Sequence, residues 1–318
     1  MTSPRLAMLG TGDFALPAFE RLMESGRHVV ALITQPDRPQ GRKQEILPSR
    51  IKLAALARGV RVEQPEDINA PEGLELVRSL EVDLLITAAY GQILSADLLA
   101  IPKFGGMNLH GSILPAYRGA APVARAIQNG ETETGVTVIR MTPRVDAGGM
   151  IAFARTPIKD DETAGELEDR LALLGAPLID QAIDSILDGS ATILPQDRSK
   201  ATKAPKLRKE DGQIDWSKPA TAIHNLIRAM QPWPNAATSW HSVQVGKPPV
   251  RLIVHRASVE EATGFPGVVL EAGGDRLVVA AGEGSIRLIE LQIPGKKRMQ
   301  AAEFLRGHHI FPDDRMGN

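Results

Sequence analysis

The chain has 318 residues and not one of them is cysteine. That absence excludes a disulfide framework, thiolate metal ligands and a cysteine nucleophile, and it fits a reducing compartment, so a cytoplasmic location is the expectation. Aromatic residues are only 4% of the chain. So few rings disfavour a base-stacking platform, and a nucleic-acid partner would have to be read through shape and phosphate. No apolar run approaches the ~20 residues of a membrane-spanning helix. The opening MTSPRLAMLG lacks both the basic flank and the small-residue cleavage site of an export signal. There is no internal repeat and no low-complexity tract. The adjacent pair His308 and His309 diverges on any regular element and has no third ligand at metal spacing, so no metal is expected.

What is present is an ordinary globular composition, 43% hydrophobic and 24% charged, in a chain long enough for two domains with separate cores. The net charge of −1 conceals an asymmetry. From Lys200 onward 17 Lys and Arg face 12 Asp and Glu, while the residues before it carry 20 against 26. Chance on a solvated surface is one explanation; a second half that binds a polyanion is the other.

The first half alternates apolar runs with helical patterns, the signature of βαβ units and a mainly parallel sheet, so a Rossmann-like α/β domain is expected. Strands are predicted at Arg5–Gly10, His28–Thr34, Val82–Ala88, Gly106–His110, Gly135–Met141 and Met150–Arg155. Helices are predicted at Pro17–Ser25, Ser49–Arg58, Pro71–Leu80 and Gly119–Asn129. Thr163–Leu187 reads as one long amphipathic helix, with Gly175 and Pro177 as the places where it could break. Ser190–Arg208 is rich in Lys, Pro, Ser and Thr without apolar periodicity and reads as a linker. Beyond it Val250–His255, Gly267–Leu270, Arg276–Ala281 and Ser285–Leu291 are short, β-rich and glycine-punctuated, as in a small β-barrel. The expected division is therefore 1–189, linker 190–208 and barrel domain 209–318.

Two stretches at predicted strand ends could carry chemistry. Gly10-x-Gly12-x-x-Ala15 is a near match to a dinucleotide fingerprint, but the only nearby acidic residue, Asp37, lies in a Pro-rich loop, and a structural strand-to-helix turn is the plainer reading. In Gly105-Gly-Met-Asn-Leu-His-Gly-Ser-Ile-Leu-Pro-Ala-Tyr-Arg-Gly, Asn108 and His110 are two apart and would project from one face of a strand. An amide donor beside an imidazole suits acyl transfer to an amine, because the amide can bind the oxyanion of a tetrahedral intermediate while the imidazole takes the amine proton. A polar strand end with a structural histidine is the alternative. Asp146, in a glycine-flanked loop, could orient that histidine or could simply form a turn.

The segments NLHGSILPAYRGAAP and NGETETGVTVIRMTPRVDAGGMI resemble the signature of the folate-dependent formyltransferases. The resemblance implies catalytic roles for Asn108, His110 and Asp146, and 10-formyltetrahydrofolate as co-substrate alongside Ser112, Ile113, Leu114 and Pro115. Three further stretches resemble the members that act on initiator methionyl-tRNA. They are Thr34-Gln-Pro-Asp-Arg-Pro-Gln-Gly-Arg42, the Trp-Pro segment in Ile227–Pro234 after Asp215-Trp216, and the basic turn Pro294-Gly-Lys-Lys-Arg298. They imply an OB-like C-terminal domain, tRNA contacts at Arg38, Arg42, Lys43, Lys296, Lys297 and Arg298, formyl transfer to the methionyl α-amino group through a tetrahedral intermediate, and a monomer. The family usually continues after its Gly-Arg with a basic run, whereas this chain reads Lys43-Gln-Glu-Ile46, which removes one cation and sets Glu45 against a polyanion.

Overall fold

Leu6, Ala7, Met8 and Leu9 are apolar at four successive positions, as a strand covered on both faces requires, and all four are buried in β1 (Arg5–Gly10). The structure is a computed structural model that describes residues 3–40, 45–244 and 246–317. The chain divides into two compact units, one of Met1–Pro122, Glu133–Pro157 and Glu168–Pro205, the other of Val123–Thr132, Ile158–Leu167 and Lys206–Asn318.

In the first unit β1 is followed by β2 (His28–Ile33), a short antiparallel pair β3 (Pro39–Gln40) and β4 (Glu45–Ile46), then β5 (Arg61–Glu63), β6 (Leu84–Ala88), β7 (Gly106–His110), β8 (Glu133–Arg140) and β9 (Met150–Pro157). The main sheet has the order β5-β2-β1-β6-β7-β8-β9, parallel as far as β7, with β8 and β9 added antiparallel. The fold class expected from the sequence is the one observed. Going from β1 the chain builds one way to β2 and β5 and the other way to β6 and β7, so the order reverses beside β1. In open α/β sheets that reversal leaves a crevice at the carboxyl ends of the strands.

The helices α1 (Leu16–Glu24), α2 (Arg50–Ala57), α3 (Pro71–Ser79), α4 (Ala96–Leu99) and α5 (Pro122–Gln128) follow the predicted pattern with small differences at their ends. Ser49 caps α2 by accepting from the Lys52 amide, and Ser95 caps α4 by accepting from the Leu98 amide. Ala7 and Leu9 pack with Ala31, Ile33, Val77, Leu80 and Leu98. The helix expected from Gly119 starts only at Pro122, because Arg118 and Ala121 donate their amides to the carbonyls of Thr202 and Ala204 at 2.9 and 3.2 Å.

The long helix α6 (Ala164–Leu187) is continuous through Gly175 and Pro177. Gly175 serves a close approach rather than a break, since a Cβ there would lie 2.6 Å from Leu109 Cδ2 on β7. Pro177 removes the amide that would serve the carbonyl of Leu173, and Leu173 is 66% exposed, so water can serve it instead. Leu109 thus faces α6. By the alternation of a strand, its neighbours Asn108 and His110 face the other side.

The second unit is an antiparallel, nearly closed barrel. Besides most of α5 and the first turn of α6, its helices are α7 (Ala220–Ala229) and α8 (Ala301–Gly307). Its strands are β10 (Ala236–His241), β11 (Val250–Glu260), β12 (Val269–Gly273), β13 (Arg276–Ala280), β14 (Ser285–Gln292), β15 (Arg298–Gln300) and β16 (Arg315–Met316). The order is β12-β13-β14-β11-β10-β16, with β15 on β14. A bridge between Val268 and Arg315 brings the last strand back towards the first. The core includes Trp216, Trp240, Leu252, Val254, Ile286, Leu288 and Phe304. Both indoles are satisfied, Trp216 donating to Thr238 Oγ1 and Trp240 to the buried Asp314. Strand β11 outruns its predicted end at His255 because a bulge at Arg256 breaks the two-residue period. No described helix is long and apolar enough to cross a membrane.

Candidate active site

Strand β7 delivers Asn108 and His110 to the carboxyl edge of the sheet. Its register sets Asn108 beside Thr87 on β6 and His110 opposite Thr137 on β8. The buried Thr87 hydroxyl lies 2.9 Å from Asn108 Oδ1 and 3.0 Å from the Met107 carbonyl and directs its single proton between them. With Oδ1 held there, the Asn108 amide nitrogen has no partner among the described residues.

His110 is 6% exposed. Its Nε2 lies 2.9 Å from the Tyr117 carbonyl, and its Nδ1 lies 3.5 Å from Asp146 Oδ2, an ion-pair distance that falls short of a good hydrogen bond. Both ring nitrogens therefore face acceptors. Asp146 is a non-glycine residue with φ +47°, a conformation aspartate tolerates better than most. Three contacts hold it there. The Gly119 amide donates to Oδ2 at 2.9 Å, and Gln196 Nε2 donates to the carbonyls of Asp146 and Gly148 at 2.8 and 2.6 Å. The glycines after Asp146 are required sterically, since a Cβ on Gly148 would lie 1.7 Å from the Arg140 carbonyl oxygen.

The loop after β7 folds on itself. Ser112 donates its hydroxyl to the Ala116 carbonyl at 2.7 Å, Thr137 donates to the Ser112 carbonyl at 2.7 Å, and the Leu114 amide donates to Thr137 Oγ1 at 3.1 Å. Ser112 and Leu114 are buried, while Ile113 and Pro115 are half-buried. What this stretch can offer a ligand is therefore its backbone, Ile113 and Pro115, with the Ser112 hydroxyl spent inside the protein. The glycine turn after β1 is likewise closed. The amides of Thr11 and Gly12 both point at the Ala89 carbonyl, at 3.2 and 3.4 Å, and a Cβ on Gly10 would lie 2.7 Å from that of Ala15. Those amides are not displayed to a phosphate, which favours the structural reading of the turn.

Sequence reasoning missed Gln196, Thr87 and Thr137. Gln196 lies in the stretch read as a linker, and it accepts from Arg118 Nε and Nη2 at 3.0 and 2.6 Å. Beside it a cavity of about 450 Å³ is lined by Arg118, Arg144, Ala147, Gln196 and Arg198 among others.

The described residues expected to touch RNA fall in both units. Arg38 pairs with Glu66 at 2.5 Å, both exposed. Its neighbour Asp37 is held below the usual carboxylate range, first by a hydrogen bond from Lys52. Arg42 and Lys43 lie outside the described residues. In the second unit Lys297 pairs with Glu303 at 2.6 Å, and Lys296 and Arg298 are exposed. Arg298 lines a cavity of about 400 Å³ together with His224, Arg228, His255 and Arg256. Burial pushes the imidazole pKa of both His224 and His255 down, and the charge of Arg228 adds to the effect at His224. Among the described residues no three His, Asp or Glu side chains gather to hold a metal ion.

A parallel sheet that presents an amide, an imidazole and a carboxylate at one strand edge, with an antiparallel barrel later in the chain, defines a class. The formyl transferase model matches residues 4–183, and the formyl transferase C-terminal domain model matches residues 206–309. Full-length relatives narrow it. The methionyl-tRNA formyltransferase of Geobacter metallireducens is 42% identical over all of both chains, and that of Trichlorobacter lovleyi is 44% identical over 98% of this chain and 96% of its own. The chain belongs to the methionyl-tRNA formyltransferase family. In fold it also resembles an N-formyltransferase from Helicobacter canadensis solved with folinic acid and dTDP-3-aminofucose. That structure covers 90% of this chain and 99% of its own with a TM-score of 0.65 at 17% identity.

Proposed function

We propose that this enzyme transfers the formyl group of 10-formyltetrahydrofolate to the α-amino group of initiator methionyl-tRNA, giving N-formylmethionyl-tRNA for translation initiation in the cytoplasm. Residues 1–189 carry the folate site and the chemistry, 190–208 link, and 209–318 bind tRNA, in a monomer. The observation that carries this reading is the unused amide nitrogen of Asn108 beside a His110 that faces Asp146.

In the proposed reaction the methionyl amine attacks the formyl carbon and the carbonyl oxygen becomes an oxyanion. Asn108 Nδ2 donates to it, as an oxyanion-hole amide does, and His110 adds a second donor once it is charged. With Asp146 at Nδ1, Nε2 is the nitrogen that meets substrate, in exchange for the Tyr117 carbonyl, and it removes the proton the amine loses. Asp146 balances the imidazolium. Collapse of the intermediate breaks the bond between the formyl carbon and N10 of the folate, which takes up the proton. No covalent enzyme intermediate is needed. The folate lies along Ser112–Pro115, contacted by backbone, Ile113 and Pro115. Arg38, Arg42, Lys43, Lys296, Lys297 and Arg298 supply cations to tRNA phosphates.

The test is transfer of radiolabelled formyl from 10-formyltetrahydrofolate, offered initiator methionyl-tRNA and, separately, amino-sugar nucleotides. Label on the tRNA supports the reading. Label on the sugar nucleotide alone, or nowhere, overturns it.

A further inference from the structure

Beside Asp146, three arginines line one cavity with no carboxylate to balance them. Arg118 enters with its Nε and Nη2 committed to Gln196, so that Nη1 has no partner among the described residues. Arg144 and Arg198 are exposed and form no ion pair among the described residues. Some arginines of the same unit have carboxylate partners, Arg27 with Asp180 and Asp184 and Arg155 with Glu133, whereas here three guanidinium groups unpaired among the described residues line one cavity. The two nearest acids in sequence are occupied. Asp146 turns its carboxylate to the Gly119 amide and His110, and Asp197 accepts from the amide and hydroxyl of Ser199 and lies 3.6 Å from Lys200.

Three guanidinium groups converging without counter-charge repel one another, and an anion relieves that repulsion. Their planar forks suit tetrahedral phosphate oxygens in pairs. We propose that this cavity holds a phosphodiester at the 3′ end of the acceptor strand, next to the reacting amine. The site rests on the reading of the acceptor given above. Two features select phosphodiester over the carboxylates of a folate glutamate tail. Ala147, the residue after Asp146, lines the cavity, so the anion sits one residue from the carboxylate that faces His110. From Arg198 the cations continue through the 3-10 turn Arg198–Lys200 to the exposed Lys200 and Lys203, a run of exposed cations suited to a polyanionic strand.

Gln196 couples the two places. It receives the Arg118 guanidinium on its carbonyl oxygen and donates from its amide to the backbone on both sides of Ala147. A phosphate drawn against Arg118 is therefore one side chain away from the backbone of Asp146.

The experiment is a comparison of wild type with Arg144→Gln, Arg198→Gln and the double variant. Both residues are exposed, and circular dichroism verifies that the variants fold. Two readouts are taken: steady-state constants for each substrate, and fluorescence-anisotropy binding of uncharged initiator tRNA across a salt series, which needs no turnover. The double variant should raise KM for the aminoacyl-tRNA about tenfold, with the folate KM unchanged. Its salt slope for tRNA binding should be shallower by about one per arginine. An unchanged tRNA KM and slope would overturn the proposal. So would a raised KM for polyglutamylated but not monoglutamylated folate, which would give the cavity to the glutamate tail. A wild type that binds tRNA through these arginines yet transfers no formyl would instead overturn the assigned activity and leave the phosphate site standing.

Discussion

Gln196 donates to the Asp146 carbonyl at 2.8 Å, from a segment whose sequence shows no helical or strand periodicity. The same amide donates to Gly148 at 2.6 Å, so it holds the Asp146 loop on both sides of Ala147. Gln196→Leu keeps the size and removes every hydrogen bond. Of the four bonds lost, the two to the loop carbonyls at roughly 1 kcal/mol each predict a fall in kcat of about thirtyfold, with folate KM unchanged. Gln196→Glu, which keeps the acceptor for Arg118 and loses the donors, should resemble the leucine variant. Wild-type kcat in both would show that Asp146 does not need this support.

Gly148→Ala tests the same loop by steric means. The added Cβ would lie 1.7 Å from the backbone oxygen of Arg140, and that oxygen cannot swing away as a side chain would. The loop must shift and carry Asp146 with it. The expected result is loss of at least about tenfold in kcat, in line with a displaced positioning group, while the Trp216 and Trp240 fluorescence of the barrel stays native. Normal turnover in Gly148→Ala would mean that the position of Asp146 is not set by the Arg140 contact.

The barrel unit should weaken in mild acid. His224 and His255 both favour the neutral form when folded, because burial penalises the charge. Above the ordinary imidazole value of about 6.5 neither state binds the extra protons. As pH falls below that value the unfolded chain takes them up first, so stability is lost as pH approaches the lowered folded values. Thermal melting of the full chain should therefore fall between pH 7 and pH 5. The double variant His224→Gln, His255→Gln should show a smaller fall. An equal fall in both proteins would place the acid sensitivity elsewhere.

The strands that carry the candidate site were readable because their patterns are local. Arg5–Gly10 and Gly106–His110 are bounded in the structure as their short apolar runs predict. Three things were hidden for physical reasons. The bulge at Arg256 shifts the period within a single strand, so β11 reads five residues short. Helix α7 carries its signal in Ala220, Ile223 and Ile227, a proper i, i+3, i+7 stripe that the Trp-Pro motif after it overshadowed. The third is a matter of chain separation. Arg118, Asp146 and Gln196 are far apart in sequence and meet only because Thr202–Ala204 lies against Arg118–Ala121. The triad of Asn108, His110 and Asp146 shows the same limit: spacing placed the first two on one face, while the approach of the third depends on tertiary structure.

The central claim is that Asn108 binds the oxyanion through the amide nitrogen that Thr87 leaves unused, and its most direct test is Asn108→Ala assayed for formyl transfer from 10-formyltetrahydrofolate to initiator methionyl-tRNA. The account predicts a fall in kcat of about 10²- to 10³-fold, the usual consequence of losing one oxyanion donor, with folate affinity within about twofold of wild type by calorimetry. Wild-type kcat in this variant, or a loss explained entirely by weaker folate binding, would contradict it.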